Sequence, residues 1–177
     1  MQSIDLRLTD SFPEPEFSRL QMLVFADVQQ HSDELESILL DEAGSGVSPQ
    51  SFSPMLRLGA YQGDELVGWS CGWMERGQVF YMANSGVRPS HRRRGIYTSL
   101  LNAIRAHVLA EGGRLIRSQH SVLNNTVIIA KLRAGFNVSG LSQYGEMGTL
   151  VELTLHLSEK RKQMYRSRVL PYVAGAT

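Results

Sequence analysis

A chain of 177 residues with 42% hydrophobic and 20% charged side chains is long enough for one domain with a real core and has the balance of an ordinary globular protein. Its net charge of +1 gives no global case for binding nucleic acid or a membrane surface, so any anion site must be local. The single cysteine, Cys71, excludes an intramolecular disulfide, argues against a structural zinc site and suits a reducing compartment. Residues 1–5 carry neither the basic nor the apolar segment of a secretory leader, and no apolar run is long enough to span a bilayer, so the expected location is cytoplasmic.

Ile4, Leu6 and Leu8 alternate with Asp5 and Arg7, the pattern of a strand with one buried face. Ser11-Phe12-Pro13-Glu14-Pro15 turns into a helix predicted over about 16–30 from the spacing of Phe17, Leu20, Leu23, Val24 and Val28. A second short helix is expected over 33–40, capped by Ser32 or Asp33, followed by a loop over 44–51. From Met55 the pattern turns to strand: Leu56, Leu58 and Ala60 alternate with Arg57, Gly59 and Tyr61. Further strands are predicted over 66–74 and 79–87, with tight turns at 62–65 and 75–78, forming an antiparallel meander. Gly86 predicts a bulge or the close approach of another backbone. Trp69, Trp73, Phe80 and Tyr81 crowd these strands; half belong to the core, and the others are available to line an acceptor pocket.

The third of these strands feeds Ser85-Gly86-Val87-Arg88-Pro89-Ser90-His91-Arg92-Arg93-Arg94-Gly95-Ile96, a basic turn entering a helix. Ile96, Leu100, Leu101, Ile104 and Val108 form its apolar stripe, and Gly112-Gly113 stops it. The first turn of a helix has N–H groups without intrahelical partners and the positive end of the dipole, so this is the geometry of an anion cradle. A strand follows over 114–120. A helix capped by Asn124 or Asn125 carries Val127, Ile128, Ala130 and Leu132 and stops at Gly135. Two closing strands cover 136–144 and 149–157, and a basic helix runs from Glu159 to about Arg168, with Ser158 as cap and Pro171 as stop. The strand–helix–strand passage in the middle implies a parallel pairing within a mixed sheet.

Val87-x-Pro89-x-x-Arg92-x-x-Gly95-Ile96, followed by Leu100-Leu101, resembles the acetyl-CoA-binding motif of the GNAT N-acetyltransferases; Arg92 and Gly95 match the family pattern, and Tyr97 stands where the family has Gly or Ala. Asn124, the apolar helix after it and Ala134-Gly135-Phe136 resemble the family's second motif. The fold this implies is α/β (α+β), a GNAT-like mixed, mostly antiparallel central sheet of about seven strands flanked by helices, in one domain over 1–177.

The function the resemblance implies is direct transfer of an acetyl group from acetyl-CoA to a primary amine of a small molecule or peptide. The pyrophosphate would sit on the N–H groups of Arg93, Arg94, Gly95, Ile96 and Tyr97, beside the side chains of Arg92 to Arg94, with the Val87 backbone against the pantetheine. Asn124 either helps to hold the pantetheine or caps its helix. Lys131 stands where the family often has a tyrosine acid; it is a perturbed acid, a phosphate contact or a solvated helix residue.

His120, at the end of a strand, is the candidate general base, since its ordinary pKa suits that work; Glu75, placed in a turn, and Tyr144 are weaker candidates. Cys71 reads as a small core hydrophobe ahead of a covalent acyl carrier. A non-catalytic acyl-CoA-binding module of the same fold is the alternative. Nucleic-acid binding through His91 to Arg94 and the basic tail is opposed by the net charge. No metal, nucleic-acid or membrane partner is expected, and a homodimer is left open.

Overall fold

The computed structural model describes residues 3–26, 55–144 and 148–169. The predicted helix over 33–40, the loop over 44–51, the C-terminal part of the first predicted helix and Pro171 lie outside the described residues. In chain order the elements are β1 (Ile4–Leu8), α1 (Glu16–Val24), β2 (Leu56–Gln62), β3 (Glu65–Glu75), β4 (Val79–Val87), a 3-10 turn (Pro89–His91), α2 (Ile96–Ala110), β5 (Leu115–Ser121), α3 (Asn125–Arg133), β6 (Asn137–Tyr144), β7 (Gly148–His156) and α4 (Glu159–Val169). The seven strands form one mixed sheet in the order β1-β2-β3-β4-β5-β7-β6. The parallel pair is β4 with β5, in a register of three pairs from Val79↔Leu115 to Tyr81↔Arg117. The pairs β1–β2, β2–β3, β5–β7 and β6–β7 are antiparallel.

Contacts group the described residues into two compact units, one within 1–73 and 82–104, the other within 74–81 and 105–177. The first has a core of Phe12, Leu20, Tyr61, Leu66, Trp69 and Cys71, closed by Phe17, Val24 and Phe25. Trp69 is its centre: fully buried, with the Phe17 ring edge-on at 5.3 Å and its Nε1 donating to Asn84 Oδ1 at 2.9 Å. A Cβ on Gly86 would stand 2.6 Å from Trp69 Cζ3, so glycine is required there for the indole to lie against β4. The close approach anticipated at Gly86 is thus chiefly that of an aromatic ring, although the Gly86 carbonyl also lies 3.1 Å from where a Gly68 Cβ would be. The apolar stripe of α2 is buried at Ile96, Leu100, Leu101 and Ile104 as its spacing requires.

Two strand patterns depart from simple alternation. Leu58, Gly59, Ala60 and Tyr61 of β2 are all buried, so both faces of the sheet are covered at this strand. In β1, an edge strand, Ile4 and Leu6 are only half-buried and Leu8 is exposed.

The second unit is built on β5, β7 and β6, with Phe80, Val108, Ile116, Phe136, Leu150, Leu153 and Leu155 buried. Gly135 closes α3 at φ +94°, a conformation glycine takes without strain. Helix α4 is tied to β6 by Tyr165 Oη donating to the Val138 carbonyl at 3.1 Å.

Candidate functional site

The basic turn and helix start that the sequence reads as an anion cradle lie in the first unit. Val87 ends β4 buried, and the Arg88 N–H donates to the Val67 carbonyl at 2.8 Å, which anchors the start of the loop on β3. Pro89 opens the 3-10 turn, where its fixed φ suits the first helical position. The chain then passes through two left-handed residues, Arg93 at φ +61° and Gly95 at φ +79°, and enters α2. The first bond of α2 runs from Ser99 N–H to the Gly95 carbonyl at 3.0 Å, so helical geometry leaves the N–H groups of Gly95, Ile96, Tyr97 and Thr98 without an i−4 acceptor. A Cβ on Gly95 would meet nothing within 4 Å, so the space before it is open. Arg92, Arg93 and Arg94 are exposed around it. Open space, oriented donors and three cations fit a phosphate-bearing ligand.

Three neighbours give this loop its shape. Arg92 Nε donates to the Val87 carbonyl at 3.2 Å, so the guanidinium folds back on the end of β4. His91 Nε2 pairs with Gln62 Oε1 at 2.7 Å. Ile96 is buried and pins the helix start. Tyr97, where the family pattern has a small residue, turns inward; burial pushes its phenol up, and its hydroxyl has no hydrogen-bond partner.

The second unit holds the other candidates. Ile116, Ser118 and His120 share one face of β5 by strand alternation, and Arg117 and Gln119 share the other. Ser118 is fully buried, and its Oγ accepts from Lys131 Nζ at 2.7 Å and lies 3.1 Å from His120 Nε2. Lys131 is 1% exposed, so its reading as a solvated helix residue is corrected: its ammonium is spent on Ser118 and lies 4.6 Å over the Phe136 ring. Burial lowers its pKa to about 7. Burial, then the Lys131 charge, lowers the pKa of His120 to about 4, so the ring is neutral at pH 7. Asn124 caps α3, its Oδ1 accepting from the Val127 N–H at 3.3 Å.

On the opposite face, Glu75 corrects its placement in a solvated turn. It ends β3 and receives both Nε and an Nη of Arg117, at 2.9 and 2.8 Å, while the other Nη reaches Glu152 at 3.1 Å. Arg117 also stacks 4.9 Å from the Tyr81 ring centroid, and the pair with Glu75 raises its pKa further. Both Glu75 carboxylate oxygens are thus engaged by Arg117. Tyr81 Oη donates to Gln119 Oε1 at 3.3 Å, and the Gln119 amide reaches Ser142 Oγ at 3.2 Å. Of the four crowded aromatics, Trp69 and Phe80 are core, while Trp73 and Tyr81 are half-buried. Burial raises the Cys71 thiol, as suits a core residue.

Sequence reasoning missed Ser118 and Arg117. The signal for Ser118 was its place between Ile116 and His120 on one strand face; Arg117 carried none, because its partners are 42 and 35 residues away. Among the described residues no group of three or more His, Cys, Asp or Glu is placed to hold a metal ion, and no helix is long and apolar enough to cross a membrane.

The model of the acetyltransferase (GNAT) family matches residues 14–136. A search of curated proteins finds no match. Among solved structures, the chain is similar to a Desulfovibrio desulfuricans protein assigned to that family (19% identity, 88% of this chain and 100% of that one, TM-score 0.65). It is similar to a Bacillus subtilis acetyltransferase in complex with CoA (16% identity, 88% and 100%, TM-score 0.64). It is also similar to the ribosomal-protein-S18-alanine N-acetyltransferase of Escherichia coli (12% identity, 87% and 95%, TM-score 0.61).

Proposed function

The chain belongs to the acetyltransferase (GNAT) family, and from that premise we propose that it moves an acetyl group from acetyl-CoA directly to a primary amine of a small molecule or peptide. The observation that carries this reading is the loop from Arg92 to Tyr97: left-handed Arg93 and Gly95, four helix-start N–H groups, open space at Gly95 and three arginines in one turn. The N–H groups of Arg93 to Tyr97 would hold the pyrophosphate, and the arginines would meet its charge. The end of β4 at Val87 would align the acyl chain, the arrangement in which positioning lowers the barrier most. Acetyl-CoA supplies the thioester. The CoA complex of the Bacillus subtilis neighbour supports the donor, and the name of the Escherichia coli neighbour supports amines of proteins as one acceptor class. The lone cysteine and use of acetyl-CoA favour the cytoplasm.

Isothermal titration with acetyl-CoA tests the donor site. Micromolar binding by the wild type that Arg92→Ala/Gly95→Glu loses is expected; no heat from the wild type overturns it. Thiol release measured with a panel of amines then tests turnover, and binding without release for any amine would make the chain an acyl-CoA-binding module instead.

A further inference from the structure

Among the described residues Ser118 Oγ has two partners, Lys131 Nζ at 2.7 Å and His120 Nε2 at 3.1 Å. The order of protons along this chain is decided by its first member. A lysine ammonium has three donors and no acceptor, so Ser118 Oγ accepts from it. The hydroxyl then has one proton of its own to place, in a fully buried position, and His120 Nε2 is within reach to take it. An Nε2 that accepts is unprotonated, and a neutral imidazole must then carry its proton on Nδ1.

We propose that Lys131 and Ser118 are positioning residues that lock His120 into the Nδ1–H tautomer, so that the free side of the ring presents a hydrogen-bond donor in place of a basic lone pair. The opposite arrangement has His120 Nε2–H and Lys131 both donating to Ser118, which strands a buried hydroxyl proton. The charge states suit the arrangement. Between about pH 4 and pH 7 His120 is neutral and must choose a tautomer, while Lys131 is still an ammonium.

The inference deepens the acetyltransferase reading and rests on it only for what the donor would meet. An Nδ1–H can stabilise negative charge developing on oxygen or sulfur, and it cannot take a proton from an amine. His120 is therefore assigned a donor's work, and the base expected of it from the sequence is not a part it can play in this tautomer.

The test uses the full chain with 15N-labelled histidine, without acetyl-CoA, at pH 6. Long-range proton–nitrogen spectra distinguish a protonated from a bare ring nitrogen, and His120 is assigned among the five histidines by the signal missing in His120→Gln. A protonated Nδ1 and a bare Nε2 are expected for the wild type. Ser118→Ala removes the bridge, and the ratio should invert toward Nε2–H, the form histidine favours in water. Ser118→Thr, which keeps the hydroxyl, should restore it. A wild-type Nε2–H signal, or a ratio unchanged in Ser118→Ala, overturns the proposal. The wild-type spectrum decides even where a variant does not fold. Because no donor or acceptor is present, either result leaves the acetyl-CoA titration to stand or fall separately.

Discussion

Replacing Lys131 with methionine should stabilise the protein at pH 6, although it deletes a hydrogen bond. Lys131 has an ordinary pKa of 10.5 and is held at about 7 by burial. At about 1.4 kcal/mol per pH unit, the folded state disfavours the charged form by about 5 kcal/mol. Below pH 7 both folded and unfolded chains carry the proton, so the folded state bears the whole of that cost. Between pH 7 and 10.5 the unfolded chain holds the proton and the folded one sheds it, so stability rises with pH across that window, by up to about 1.4 kcal/mol per unit. Methionine keeps the length and apolar volume of the lysine stem and has no charge to bury. The losses include the donation to Ser118 and the contact with the Phe136 ring, together about 1–3 kcal/mol. Lys131→Met should therefore gain about 2–4 kcal/mol at pH 6, and the gain should nearly vanish by pH 9. Urea unfolding of both proteins at the two pH values measures this, with equal slopes expected so that midpoints compare directly. A variant less stable at pH 6, or a difference that does not change with pH, would refute the reasoning. The same variant should lose acetyl-transfer rate, since it removes the group that orders Ser118.

His120 gives a second, lower pH window. Its pKa falls from 6.5 to about 4, so stability present above pH 6.5 should be lost as pH falls toward 4, by about 1–2 kcal/mol after allowance for its partial exposure, and His120→Gln should flatten that part of the curve. Gly86→Ala should cost about 1–3 kcal/mol, because its Cβ enters the Trp69 ring, and Trp69→Leu in the same chain should make the two changes strongly non-additive in thermal unfolding. Arg117→Ala removes the cation that Glu75 and Glu152 share. With all three side chains 27–29% exposed, the loss in urea unfolding at pH 7 should be about 1–2 kcal/mol.

Local signals carried most of the sheet. The strand over Val79–Val87 and the start of α2 at Ile96 stand where alternation, turn residues and the apolar stripe put them, because each of those is decided within a few residues. The glycine turn into α2 at Gly95 was legible for the same reason: helix-start donors and a left-handed glycine are properties of one short stretch. What the sequence hid depends on partners far along the chain. Lys131 sits on a helix among apolar residues, a pattern in which a lysine usually reaches solvent, and only the packing of α3 against β5 and Phe136 buries its head. Glu75 follows a strand and precedes Arg76-Gly77, so turn chemistry claimed it, while Arg117 holds it on the sheet. The uniform burial of β2 means that both its faces are covered, which the alternation within one strand cannot report.

The indole of Trp69 occupies the volume that any side chain at position 86 would need, and its nitrogen engages Asn84 two residues away. Three positions are thereby joined in their history as well as in space. A lineage of this chain could enlarge residue 86 only after residue 69 had shrunk, and that first step would also release residue 84 from its hydrogen bond to the indole. Substitutions at 69, 84 and 86 should accordingly fall on the same branches of a family tree, with the change at 69 first.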